Sequence, residues 1–266
     1  MGILNVTPDS FSDGGKYFQQ DLAFQQGLSM CQDGTDCIDI GGESSGPGSL
    51  DVSETEETLR VLPVVEALRA QSDVWISVDT WKSGVARKTI EAGADMINDV
   101  TALRGDPHLV EVLVETGAPV VLMYSKDTSA RTSTESKEYT DVMGTVKAFF
   151  EERILWAEKQ GLRKEAIILD PGMGFFISGN PQYSFEILRR LGELVAWGFP
   201  VLIGPSRKSF LSRIRPGRVL NVQEREIPGL AAACTGLHQG ASWIRMHHTA
   251  EARLLIDTFC SIHSKT

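Results

Sequence analysis

One phrase recurs along this chain and constrains its fold more than any other feature. A helical stretch closes near a glycine, and a short, apolar, β-rich run follows a few residues later. Gly34 precedes Cys37-Ile38-Asp39-Ile40, Gly93 precedes Met96-Ile97-Asn98, and Gly117 precedes Val120-Val121-Leu122-Met123. Gly161 precedes Ile167-Ile168-Leu169, Gly198 precedes Val201-Leu202-Ile203, and Gly240 precedes Trp243-Ile244-Arg245. A glycine just past a helix accepts the left-handed conformation that closes the last turn. Runs this short and apolar suit parallel strands covered on both faces. Gly2–Leu4 and Trp75–Val78 complete a set of eight predicted strands. Helical segments are expected at about 20–33, 53–71, 82–93, 107–116, 140–160, 181–197, 227–239 and 249–263. Eight βα units in 266 residues have the rhythm of an α/β chain folded as a single-domain (β/α)8 TIM barrel. An open doubly wound sheet is the runner-up, but it usually has fewer strands and often a second domain. No linker or low-complexity tract divides residues 1–266. The first strand begins at the first residue, which suggests that an N-terminal extension was trimmed.

A net charge of −9 argues against a dedicated nucleic-acid binder or a basic membrane-surface protein. An anionic ligand therefore needs a local cluster of Lys and Arg. The cysteines at 31, 37, 234 and 260 form no CxxC pair and no zinc spacing. They read as free thiols in a reducing compartment. The apolar runs are strand-sized, and residues 1–15 do not resemble a signal peptide. The expected location is the cytoplasm.

In a barrel, chemistry gathers where strands end and βα loops begin. Strand 1 ends in Asn5, followed by Thr7-Pro8-Asp9-Ser10-Phe11-Ser12-Asp13-Gly14-Gly15. Strand 2 leads into Gly41-Gly42-Glu43-Ser44-Ser45-Gly46-Pro47-Gly48. Strands 3 and 4 end in Asp79-Thr80 and Asn98-Asp99, and strand 5 in Tyr124-Ser125. Strand 6 gives Asp170-Pro171-Gly172-Met173-Gly174-Phe175, strand 7 gives Ser206-Arg207-Lys208-Ser209, and strand 8 gives Arg245 and His247. One Asp or Asn after a strand is usually a cap or turn former. Asp79, Asn98 and Asp170 together converge on one mouth and suit a flat, nitrogen-rich ring with amino and lactam edges. Lys208 adds a cationic donor, and Arg245 can stack on a ring face while its edge reaches a phosphate. Ser209 opens a helical stretch whose free N–H groups favour an anion. No Ser-His-Asp order or zinc signature stands out. The Ser/Thr-rich fifth loop, about 124–137, reads as a mobile surface loop.

These motifs resemble the dihydropteroate synthase family over essentially the whole chain. Met1–Gly15 is similar to its first signature. Ile40-Gly41-Gly42-Glu43-Ser44 with Pro47-Gly48 is similar to its second, and Ser206-Arg207-Lys208-Ser209 is similar to a later one. The resemblance implies a (β/α)8 homodimer that condenses 6-hydroxymethyl-7,8-dihydropterin pyrophosphate with p-aminobenzoate in folate synthesis. It implies a catalytic set of Asp79, Asn98, Asp170, Lys208 and Arg245, the first four binding the pterin. Ring packing would come from Met123, Phe175 and Arg245. Asn5 would help hold Mg2+ on the pyrophosphate, with Arg245 and His247 on phosphate oxygens. Phe11, Ser45, Pro47 and Ser209 would shape the p-aminobenzoate site. No covalent enzyme intermediate is needed, so positioning and electrostatics suffice.

The chain also departs from the family pattern. Ser-Thr-Arg-Pro-Gly becomes Ser44-Ser45-Gly46-Pro47-Gly48, which removes an arginine. Phe-Gly-Phe-Gly-Lys becomes Met173-Gly174-Phe175-Phe176-Ile177, wording similar to the sulfonamide-insensitive branch. Met-His becomes Met123-Tyr124, and Arg-Val-His-Asp becomes Arg245-Met246-His247-His248. These changes cluster on the p-aminobenzoate and phosphate side, which predicts an altered second-substrate pocket tolerant of sulfonamides. Lys126 or Arg131 is the expected source of a replacement cation. Two rival readings keep the pterin pocket: a catalytically weak pterin-binding paralogue, and a methyltetrahydrofolate–corrinoid methyltransferase.

Overall fold

A computed structural model of the chain describes residues 1–7 and 16–264, the side chains of 16–19 excepted. The strands are β1 (Gly2–Asn5), β2 (Cys37–Gly41), β3 (Trp75–Asp79), β4 (Met96–Asp99), β5 (Val120–Met123), β6 (Ile167–Asp170), β7 (Leu202–Ile203) and β8 (Trp243–Ile244). All pair in parallel, in chain order from β1 to β6 and then β7 with β8. Single bridges close the ring. Leu169 pairs with Val201 and Gly2 with Met246. The Leu169 amide donates to the Pro200 carbonyl at 2.9 Å, and the Ile3 amide to the Met246 carbonyl at 2.9 Å. Closure removes the exposed sheet edges an open sheet would carry, so the open doubly wound alternative falls.

The helices are α1 (Lys16–Gln32), α2 (Glu54–Arg69), α3 (Ser83–Glu91), α4 (Leu109–Thr116), α5 (Val142–Lys159), α6 (Pro181–Arg190), α7 (Gly192–Val195), α8 (Glu226–His238) and α9 (Thr249–His263). Their starts are chemically marked. Ser53 caps α2 by accepting from the Glu56 amide, and Asp141 caps α5 by accepting from the Gly144 amide. Asn180 accepts from the Gln182 amide, and Pro181 occupies the first turn of α6. The six glycines that precede strands all have positive φ, from 73° at Gly117 to 107° at Gly93. The single helix expected over 181–197 is broken after Arg190, where Leu191 and Gly192 start the separate turn α7.

Outward-facing strand residues such as Ile38, Ile40, Ile76 and Leu122 are fully buried against helix residues such as Val61, Leu68 and Phe150. Each such side chain contributes about 1.5–3 kcal/mol through burial. A second cluster fills the barrel floor: Cys37, Met96, Val121, Ile168 and Leu202, with Met1 and Trp243 packed against it. Burial pushes the Cys37 thiol up to about 12, so it behaves as a small apolar side chain.

Candidate active site

Side chains alternate along a strand, so the residue two positions beyond each floor residue also faces the barrel interior. Two on from Met96, Val121, Ile168, Leu202 and Trp243 stand Asn98, Met123, Asp170, Gly204 and Arg245, and all five line one cavity at the mouth. Ser45, Asp79, Val100, Met173, Phe176 and Lys208 complete its wall. The interior therefore changes from apolar floor to charged mouth within one strand repeat.

Arg245 organises the charge. Its Nε lies 2.6 Å from Asp39 Oδ2, and its Nη2 lies 2.9 Å from Asp79 Oδ2. Asp39 is fully buried and also accepts from Ser77 Oγ at 2.6 Å and Asn98 Nδ2 at 3.0 Å. The Asn98 amide is thereby oriented: its NH2 serves Asp39, and its oxygen is left for the cavity. Asp170 accepts from the Gly172 amide at 2.8 Å. Gly172 must be glycine, because φ is 69° and a Cβ would lie 2.4 Å from the Tyr124 carbonyl oxygen.

Burial dominates the ionisation of these groups. It lifts the Asp79 carboxyl to about 7, Arg245 opposing and Asp39 reinforcing the shift. It lifts Asp170 to about 6 against the Gly172 amide and Lys208. It lowers the Lys208 ammonium to about 8, aided by Arg245. Burial alone would lower the Arg245 guanidinium, but Asp39 and Asp79 outweigh it and raise it. Burial, then Arg207, Arg245 and Lys208, pushes His247 down to about 3. The His247 ring is therefore neutral at pH 7 and hydrogen-bonds through Nδ1 to Ser206 Oγ at 2.8 Å.

The rim is made differently, from loops. Glu43 of loop 2 (residues 42–52) meets the ammonium of Lys82, which also meets Glu57 on α2. Arg131 of loop 5 reaches across to Glu43 and Asp51 and donates to the Leu50 carbonyl at 2.6 Å. Glu43, Ser44, Ser45, Asp79, Thr80, Trp81 and Arg131 are among the residues lining a second cavity beside the first.

The structure brings Asp79, Asn98, Asp170, Lys208, Arg245, Met123 and Ser45 together as the sequence predicts. Phe11 lies outside the described residues. Asn5 ends β1 in register with Gly41, which is level with Asp79, but is not among the residues lining this cavity, and Pro47 is exposed on loop 2. Four expectations change. Phe176, not Phe175, lines the mouth, because a 3-10 turn over Gly174–Phe176 buries the second ring. Lys208 Nζ sits 4.6 Å from the Phe176 ring centre. Arg245 does not offer a free edge to phosphate: Nε and Nη2 are held by Asp39 and Asp79, while its faces stay open to a ring. Ser209 opens only a 3-10 turn, Ser209–Arg213, so its N–H groups lack an α-helix behind them. Loop 5 is not a loose surface segment. The Thr132 amide donates to the Ser45 carbonyl at 3.1 Å, and Thr132 Oγ1 to the Phe175 carbonyl at 2.8 Å.

Asp39 was not among the predicted site residues. Its signal was an acid inside the apolar run Cys37-Ile38-Asp39-Ile40, which demands a buried partner. Asp99 looks equally suggestive but serves its own loop, accepting from the amides of Thr101 and Leu103.

Residues 1–247 match the family described as pterin binding enzyme. The chain is 42% identical to the dihydropteroate synthase of Escherichia coli K12, covering 98% of this chain and 91% of that protein. It is 40% identical to the dihydropteroate synthase of Synechocystis, covering 93% and 84%. Its structure is similar to Xanthomonas albilineans dihydropteroate synthase in complex with 7,8-dihydropteroate, with a TM-score of 0.87, 37% identity and coverage of 100% and 94%. It is also similar to a Yersinia pestis dihydropteroate synthase–sulfonamide complex, with a TM-score of 0.90, 40% identity and coverage of 100% and 94%.

Proposed function

This chain belongs to the pterin-binding enzyme family, and from that premise we infer that its barrel mouth is the active site of a dihydropteroate synthase. The enzyme is a transferase. It joins the methylene carbon of 6-hydroxymethyl-7,8-dihydropterin pyrophosphate to the amine of p-aminobenzoate and releases pyrophosphate. The observation that carries this reading is one cavity lined by Asp79, Asn98, Asp170, Lys208 and Arg245.

The donor and acceptor pattern supports a pterin. The Asn98 oxygen and the Asp170 carboxylate accept from the amino and lactam N–H groups. Lys208 donates to a ring oxygen or nitrogen. Met123, Met173 and Phe176 supply apolar walls for the ring faces. The C–O bond to pyrophosphate breaks as the amine attacks, and positive charge develops on the methylene and the dihydropterin ring. Ionised Asp79 stabilises that charge, and Arg245 fixes the carboxylate beside it. The proton shed by the amine passes to solvent or to the leaving pyrophosphate.

Mg2+ fits the oxygens at the end of β1. A Cβ built on Gly41 would lie 3.7 Å from Asn5 Oδ1 and 3.8 Å from Asp79 Oδ2, so these oxygens flank one bare patch of β2. An amide oxygen beside a carboxylate is a hard donor set that leaves room for phosphate oxygens and water. When bound, Mg2+ would supply charge neutralisation for the leaving pyrophosphate. Neutral His247 and Ser206 share one hydrogen bond, so one of them, through His247 Nε2–H or the Ser206 hydroxyl, is left to donate to a phosphate oxygen. Ser45, Pro47 and Ser209, with Phe11, would frame p-aminobenzoate, and their altered setting supports sulfonamide tolerance. An inhibition curve equal to that of an enzyme with the usual loop-2 arginine would sink that tolerance.

The homodimer fits a groove between α8 and α9, where Leu254 is 68% and Ile262 72% exposed. Sedimentation of the wild type as a dimer, and of Leu254→Glu as a monomer, would support a second copy as its occupant. No helix among the described residues is long and apolar enough to cross a membrane. The test of the activity is pyrophosphate release with both substrates and Mg2+. Release that needs p-aminobenzoate and vanishes in Asp79→Ala supports the synthase. Pterin binding without release would favour a non-catalytic paralogue.

A further inference from the structure

Loop 2 carries no Lys or Arg between Ser44 and Leu50, yet it lies under a guanidinium. Arg131 reaches it from loop 5 and meets three acceptors on loop 2: Glu43, the Leu50 carbonyl and Asp51. The legs are unequal. The Glu43 side chain is 10% exposed, whereas that of Asp51 is 94% exposed. A solvated ion pair holds little, while a buried one is poorly screened. Glu43 passes the grip inward through Lys82 to buried Glu57 on α2. The adjoining residue, Thr132, ties the Ser45 and Phe175 carbonyls, so loop 5 spans loops 2 and 6 at once.

We propose that Arg131 is a positioning residue for the second substrate, holding loop 2 in its binding arrangement before ligand arrives. It acts through Glu43 and Leu50, on the cavity it shares with Ser44, Ser45 and Asp79. The identity of that substrate rests on the synthase reading; the ordering of loop 2 does not. Arg131→Ala leaves Glu43 paired with Lys82, so it does not strand a buried charge.

Two measurements on the full chain test this. Hydrogen exchange of residues 44–50 is read without ligand, and KM for p-aminobenzoate and kcat are read in turnover. In Arg131→Ala, loop-2 exchange accelerates. If loop 2 then holds its binding arrangement about a tenth of the time, KM rises about tenfold. The kcat stays within about twofold, because saturating substrate restores the loop. Arg131→Lys falls between, since its side chain is one bond shorter and its ammonium falls short of the place where Nη2 alone now meets both Glu43 and the Leu50 carbonyl. Asp51→Asn changes little, because only the solvated leg is lost. Unchanged loop-2 exchange in both Arg131 variants overturns the proposal, as does a fall in kcat with KM unaltered. If Arg131→Ala fails to fold, Arg131→Lys decides alone. Absence of turnover in the wild type would sink the synthase reading, and exchange would still decide the strap.

Discussion

Arg245 and Arg131 are both guanidiniums held between two carboxylates at one barrel mouth, but strands present the first and loops the second. Arg245 follows β8 and grips Asp39 on β2 and Asp79 on β3. Those backbones are fixed by the barrel's own ladders, and Asp39 has no access to water. Arg131 stands on loop 5, and one of its carboxylates is almost wholly solvated. The strand-held cation sits in a field that solvent cannot relax, so it can tune its neighbours' ionisation. The loop-held cation governs geometry, and its strength depends on how much of the contact stays dry.

Removing a carboxylate from the strand-held group should give the largest effects. Asp79→Ala is expected to cost about 10²–10³ in kcat/KM while leaving Arg245 paired with Asp39. Steady-state kinetics beside a thermal melt will separate the loss from unfolding. Asp39→Ala leaves Arg245 with Asp79 alone and takes the buried acceptor from Ser77 Oγ and the Asn98 amide, and losing half of a buried pair costs about 3–5 kcal/mol. A denaturant titration reads that change directly. A variant as stable as the wild type would show that solvent reaches this wall.

The next effect concerns pH. For the free enzyme, kcat/KM should climb as Asp79 ionises near 7 and fall as Lys208 loses its proton near 8. Asp79→Asn should move the acidic limb down to that of Asp170, near 6, whereas Arg131→Ala should move neither limb. Stability carries the opposite sign. The folded Asp79 carboxyl holds its proton to a higher pH than its ordinary value of 3.8. The native state therefore binds more protons than the unfolded chain between about pH 4 and 7, and stability declines as pH rises through that window. Equal melting temperatures for wild type and Asp79→Asn across those pH values would contradict this.

The smallest effect is a gain at the rim. A Cβ on Gly46 would meet only Ser44 Oγ, at 3.4 Å. Gly46→Arg is therefore expected to fold normally and to lower KM for p-aminobenzoate by up to about tenfold through an added charge-assisted contact. An increase in KM would mean that Arg131 already fills that space.

This division also governs what the amino acids disclose by themselves. Asp79, Asn98, Asp170 and Arg245 were legible because a strand repeat fixes where each residue after an apolar run must point. Asp39 obeys the same rule but was overlooked: its value lies in a partner on another strand, which no local pattern displays. Phe175 and Phe176 are adjacent aromatics, and only the 3-10 turn decides which ring enters the mouth. The sequence offers Arg131 only as an equal of Lys126, because its link to Glu43 spans 88 residues and crosses between loops. The break between α6 and α7 needed tertiary context as well, since residues 181–197 read as one continuous helical stretch.

The pair between Arg245 and Asp39 joins positions 206 residues apart. A ribosome delivers Asp39 and Asp79 long before it delivers the guanidinium that neutralises them. Until then, the growing chain has two carboxylates in its sheet interior with no cation from β8, and the ring cannot close onto β1. The pocket is therefore incomplete until β8 has been made, and a chain released short of residue 245 keeps Asp39 and Asp79 without the guanidinium they share.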